Sequence, residues 1–196
     1  MEHMAARIEI EDVLRRERLA RDMQRWDDLA ACYNDDSFID ISWFQGSGAE
    51  FAAAGARMAS QMLSFHELGP PVVTVNGRRA LTDMGITIHL IADIEGIEVD
   101  CVGYCRSLGR FERKSALWLM SGHRVIYVHD WLVPIVPGRI PQIDEARLAR
   151  YRRSYRFLSY MLEARGLLAR DDLPGIDRPE TVEALRVGEK AWLEAR

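Results

Sequence analysis

Cysteine is scarce in this chain, and lysine is nearly missing. Cys32, Cys101 and Cys105 are the only cysteines in 196 residues. They are too few, and odd in number, for a disulfide framework, which points to free thiols in a reducing compartment. No stretch approaches the ~20 apolar residues of a membrane span. The opening MEHMAARIEIED holds no apolar signal core, so the expectation is a cytoplasmic protein without a membrane partner. Of 26 basic residues only Lys114 and Lys190 are lysines, and the net charge is −4, a balance that argues against nucleic acid as a partner. GxGxxG, Walker and GxSxG motifs are absent. His129 and Asp130, adjacent on a strand, point to opposite faces and cannot chelate together, and Cys101 and Cys105 are not at zinc-ligand spacing. No metal and no cofactor are expected.

What is present reads as an ordinary folded protein. With 48% hydrophobic and 29% charged residues, the chain suits one globular domain and an appendage. Residues 6–20 are predicted to form an amphipathic helix with Ile8, Val13 and Leu14 near one face. A second short helix over 25–33, with Trp26, Leu29, Ala30 and Tyr33 inward, is ended by NDDS. SFIDISWF alternates as a strand, and Ser47 is placed to cap an alanine-rich helix. SFHELGPP then ends that helix, because Pro70 and Pro71 cannot continue it, and leaves His66 at a helix-to-strand junction. Three long strand segments follow, the first a hairpin around Asn76-Gly77.

Side-chain alternation puts Ala80, Thr82, Met84, Ile86, Ile88 and Leu90 on one face of its second strand, with His89 on the other. On the next strand Val99, Cys101, Gly103, Cys105 and Ser107 share a face of small residues that leaves room for a cavity. His123, Tyr127 and His129 share a parity on the last. After the linker VPGRIPQ, one helix is expected with Leu148, Tyr151, Tyr155, Leu158 and Leu162 as its apolar stripe and RLARYRRSYR as its solvated basic side. Gly166 ends it, and Pro179 opens a last helix. The order of elements predicts an α+β fold, helices gathered on one face of an antiparallel sheet.

The stretches IEIEDVLRRERLARDMQRWDDLAACYNDDSFIDIS, FHELGPPVVTVNGRRAL and RFERKSALWLMSGHRVIYVHDWL together resemble the SnoaL-like family of the nuclear-transport-factor-2-like (cystatin-like) superfamily, over residues 6–137. The resemblance implies a cone-shaped barrel, a strongly bent and mainly antiparallel sheet wrapped around N-terminal helices, with an apolar pocket. That gives a barrel domain over 1–138 and a helical extension over 139–196 acting as lid or subunit contact. Within the family the chain resembles scytalone dehydratase and hexachlorocyclohexane dehydrochlorinase, in which an aspartate after the first helix pairs with a histidine and no cofactor takes part. Asp22 falls at the aspartate place and His66 at the histidine place. A third polar group falls on His123 or Arg124, and His89 near a further histidine. The tyrosine that precedes the aspartate in scytalone dehydratase is replaced by Arg21.

These matches are weighed against plainer roles. Asp22 at a helix C-terminus faces the negative end of the dipole, so it either caps the next helix or orients His66. His66, with an ordinary pKa near ~6.5, is either a tuned base or a buried structural histidine. His123 and Tyr127 could steady a developing oxyanion or form an outward polar face. Met84, Ile86, Ile88, Cys105, Trp43, Tyr127 and His89 are the expected substrate contacts. The expectation is a cofactor-independent lyase or isomerase acting on a small apolar cyclic or aromatic molecule, with His66 as base, oriented by Asp22. The competing reading is a non-catalytic ligand-binding or assembly module. A homo-oligomer, dimer or trimer, is expected in either case.

Overall fold

The computed structural model describes residues 2–59 and 62–195. The chain runs α1 (Glu2–Asp22), α2 (Trp26–Ala31), β1 (Tyr33–Ile41), β2 (Phe44–Gly46), α3 (Gly48–Ala59), β3 (Leu63–Leu68), β4 (Val72–Asn76), β5 (Arg79–Ile94), β6 (Ile97–Lys114) and β7 (Leu117–Pro134). Then come α4 (Glu145–Leu148), α5 (Arg156–Glu163) and α6 (Pro179–Glu194). One sheet takes the order β2-β1-β7-β6-β5-β3, and β4 also pairs with β5. Only the β1–β7 pairing is parallel among the described strands. This is the α+β, mainly antiparallel architecture that the sequence predicts. Among the described residues no helix is long and apolar enough to cross a membrane.

Local chemistry accounts for the main turns. The β4–β5 hairpin closes on Gly77-Arg78, with Gly77 at φ +59°. This is the arrangement with glycine first in the loop, one residue later than a turn centred on Asn-Gly. Ser47 and Glu50 form a capping box at α3: the Ser47 N–H donates to Glu50 Oε2 at 2.8 Å, and the Glu50 N–H to Ser47 Oγ at 3.3 Å.

The sheet bends at two irregularities in the β6–β7 pairing, between Tyr104 and Cys105 and between Arg110 and Phe111. Each leaves an extra residue in β7, Val128 and Ser121, and a bulge both bends a strand and shifts its side-chain parity. The Val128 bulge corrects one expectation. His123 and Tyr127 face inward, but His129 is exposed and stacks on Trp131 at 5.6 Å. Asp130 turns inward in its place.

Several other expectations change. α1 extends to Asp22, and Ile8 is 63% exposed; the buried stripe is Ala6, Ile10, Val13, Leu14, Glu17, Arg18 and Arg21. Asn34 to Ser37 do not end a helix but lie in β1, in the irregular stretch between the Tyr33–Met120 and Phe38–Gly122 pairings with β7. His66 sits inside β3, opposite Ile88, rather than at a corner.

The helix expected across 148–162 is broken between α4 and α5. The reason is Arg152, which is buried rather than solvated. It donates to the carbonyls of Asp171 at 3.0 Å and Leu173 at 2.5 Å and pairs with Asp177 at 2.6 Å. A buried guanidinium must find acceptors, and these lie on the 171–177 loop.

Asp130 fixes the start of α5. Its Oδ2 accepts the Leu158 N–H at 2.8 Å, giving the helix N-terminus a carboxylate from a neighbouring strand. Burial pushes its carboxyl up to about 6 against the lowering effect of those N–H groups. The native state therefore holds the proton up to about pH 6, whereas the unfolded chain releases it near ~3.9. Between those values the native state binds more protons, so this contribution is fully present below the unfolded pKa and is lost as pH rises through the folded one. The expected outcome is that urea unfolding of the wild type, relative to Asp130→Asn, shows a stability difference that falls by up to ~2–3 kcal/mol from pH 4 to pH 7. A difference independent of pH contradicts this account.

Candidate active site

α1 brings charge into the interior at its C-terminal end. Glu17, Arg18 and Arg21 continue the stripe begun by Ile10, Val13 and Leu14, so the helix that packs under the sheet carries them inside. Asp22 is its last residue and reaches β3. One carboxylate oxygen accepts the His66 backbone N–H at 2.9 Å, and the other lies 2.7 Å from His66 Nδ1. The two oxygens thus fix both the main chain and the ring of His66.

The far ring nitrogen, Nε2, lies 3.3 Å from Arg18 Nη1. A guanidinium can only donate, so Nε2 is the acceptor and Nδ1 carries the hydrogen that Asp22 receives. Arg18 is held in turn by Glu17 at 3.2 Å, and Glu17 accepts the Tyr33 hydroxyl at 2.8 Å. Burial first, and then the Arg18 charge, take His66 down to about 4, although Asp22 acts in the opposite direction. His66 is therefore neutral at pH 7 with its lone pair on Nε2.

His66 lies in the wall of a cavity. The cavity is walled by Arg18 and Arg21 of α1, Trp43 after β1, Phe51 and Met58 of α3, Ile86, Ile88 and Leu90 of β5, and His123, Val125 and Tyr127 of β7. Leu158 and Leu162 of α5 close it. Its volume is about 50 Å³, several times the ~10–15 Å³ that one water needs. His123 Nε2 lies 2.9 Å from Ser107 Oγ, and its buried Nδ1 has no partner. Burial holds His123 neutral, well below the ordinary histidine value. The Tyr127 hydroxyl accepts the Ser42 N–H at 2.8 Å.

The structure brings His66, His123, Tyr127, Trp43, Ile86 and Ile88 to one cavity, with Asp22 directly behind His66. Three expected contacts lie elsewhere. His89 is on the opposite face of β5, stacked on Phe65 at 4.4 Å with Nδ1 2.6 Å from Asp100, as strand alternation requires. Met84 is buried on the correct face but is not part of the cavity wall. Cys105 lines a small adjoining void with Cys101 and Gly103. Arg124 packs over Phe38 at 5.1 Å and lies 3.9 Å from Asp40, away from the cavity, so His123 alone of that pair is at the site. Sequence reasoning missed Arg18, Arg21 and Glu17. The available signal was that these charges fall on the buried face at the spacing of Ile10 and Leu14.

Comparison with known proteins agrees with this fold. The family profile described as the SnoaL-like domain matches residues 2–124. The chain is 28% identical to "Pea pathogenicity protein 2" of Fusarium vanettenii, covering 90% of this chain and 78% of that one. It is 30% identical to an uncharacterised protein of Emericella nidulans, covering 79% and 69%. Among solved structures, a hexachlorocyclohexane dehydrochlorinase of Novosphingobium barchaimii superposes with a TM-score of 0.58 at 16% identity, over 72% of this chain and 96% of that one. A putative scytalone dehydratase of Novosphingobium aromaticivorans gives 0.55 at 11%, over 72% and 95%. At these identities the structural likeness concerns the fold.

The state of His66 is directly measurable. Nitrogen-15 NMR is expected to show the Nδ1–H tautomer and no protonation until pH approaches about 4. Since the unfolded chain protonates near ~6.5, the unfolded state binds more protons between those values, and this group's contribution to stability falls as pH drops through that window. Titration of the folded-state ring near 6.5 contradicts the assignment.

Proposed function

The chain belongs to the SnoaL-like family, and on that premise we propose that it is a cofactor-independent lyase or isomerase acting on a small, largely apolar cyclic molecule. The observation that carries the reading is the Asp22–His66 pair at 2.7 Å, with His66 in the wall of a mostly apolar cavity. A neutral imidazole with its tautomer fixed by a carboxylate is a general base, and the same carboxylate stabilises the imidazolium formed when the proton is taken. His123, with an unpartnered Nδ1 on the cavity wall, is the second polar contact. Residues 139–196 act as a lid in this reading, supported by Leu158 and Leu162 in the cavity wall.

A second reading, a binding module without chemistry, draws support from one feature: Arg18 already donates to Nε2 at 3.3 Å, so the base is engaged. The two readings separate in a screen of cyclic alcohols, ketones and halides with mass detection of the product. On a turned-over substrate, His66→Gln is expected to lower kcat by ~10²–10⁴-fold with KM little changed. Asp22→Asn is expected to do the same by disturbing the tautomer. The kcat/KM profile is expected to rise with pH through about 4 and stay level across neutrality. Full activity in His66→Gln sinks the enzyme reading for this residue.

A further inference from the structure

We infer that a small apolar ligand reaches the cavity through a groove between α3 and the segment after α5, and that Met58 is the side chain that opens the way. The inference goes beyond the proposed chemistry. A catalytic cavity and a purely binding one both need a port, and this one leaves residues 139–196 in place.

The groove is lined by Trp43, Phe44, Ala54, Arg57, Met58 and Leu167 and has a volume of about 310 Å³. Of these, Trp43 and Met58 also belong to the wall of the cavity that holds His66. Among the described residues these two side chains therefore form the partition between groove and cavity. Apart from Arg57 the groove is walled by apolar and aromatic side chains, a lining that suits a small apolar molecule on its way inward.

The other walls of the cavity are fastened. Ile86, Ile88 and Leu90 lie in β5 and His123, Val125 and Tyr127 in β7, and both strands are paired along β6. α1 is tied to β3 through both oxygens of Asp22. α5 is seated by the Leu158 N–H on Asp130 at 2.8 Å, and its end is closed by the Leu167 N–H donating to the Leu162 carbonyl at 3.1 Å. Trp43 is held by Phe51 at 5.4 Å, Phe44 at 5.7 Å and the Arg21 guanidinium at 5.2 Å. Met58 is the penultimate residue of α3 and half-buried. Its unbranched side chain turns about three bonds, so it can change rotamer while the backbone stays in place. A turn of Met58 is thus the least costly opening of this wall.

The test follows exchange of fluorobenzene with the full-length chain by fluorine-19 NMR, which yields the affinity and both rate constants. Fluorobenzene offers no acidic hydrogen, so the result stands even if His66 is not a base. Met58→Ile, close in volume but stiff at its first side-chain torsion, is expected to lower the association and dissociation rates together by roughly tenfold, with the affinity little changed. Met58→Ala is expected to raise both rates by a similar factor. Ala54→Trp, which fills the groove from outside the cavity wall, is expected to slow both. A gate moves the two rates in parallel, whereas a side chain that only packs against the ligand changes affinity mainly through dissociation. Unchanged rates in Met58→Ile or in Ala54→Trp, a change carried by dissociation alone, or a wild type that takes up no fluorobenzene overturns the proposal. If the Met58 variants do not fold, Ala54→Trp decides: parallel slowing supports the port, and unchanged rates overturn it.

Discussion

The arrangement of the interior depends on one carboxylate. Asp22 ends α1 where the helix dipole disfavours a negative charge. It is held there because both oxygens are used, one by the His66 main-chain N–H and one by its ring. That double contact ties the end of the long helix to β3, a strand at the edge of the sheet. It sets the position of β3 as well as the orientation of the ring. The dipole term opposing it is worth ~0.3–1 kcal/mol, whereas a hydrogen bond to a charged group contributes ~1.5–3 kcal/mol, so the contact wins.

Arg18, Arg21 and Glu17 follow from the same helix end. Cations near a helix C-terminus are favoured by the dipole, but burying them has a desolvation cost that must be met by partners. Glu17 meets part of it for Arg18, and Tyr33 completes Glu17. Arg21 is stabilised by ring faces instead. The interior therefore holds a graded set of charges, from a fully paired acid to a cation whose donor edge is uncommitted. Removal of Glu17 alone would leave Arg18 without its carboxylate beside Arg21, and the Tyr33 hydroxyl without its acceptor, which is why the acid belongs to the site although it does not line the cavity.

Much of the fold was legible in the residues. Period-two alternation in β5 gave the correct inner face, and Gly77 and Ser47 marked a turn and a cap with a clear mechanism. The Asp22–His66 contact, by contrast, joins residues 44 apart, and only the family resemblance suggested it. Two kinds of information were absent from local pattern. A bulge at Val128 changes parity in mid-strand, so His129 left the face of His123 and Tyr127. A buried arginine takes its partners from a distant loop, so Arg152 broke a helix that periodicity alone predicts. His89 was misjudged for a different reason: its strand parity already placed it outside, and the pattern outweighed the analogy.

Arg18 connects the end of α1 to the state of His66. Its N–H occupies the lone pair that a base must offer, and, after burial, its charge is the next largest cause that keeps His66 neutral. For His66 to act as the proposed base, Arg18 must leave Nε2 before a proton can move. The charge that keeps the ring neutral at rest must then be separated from it or balanced, because an imidazolium beside an uncompensated buried guanidinium is unfavourable.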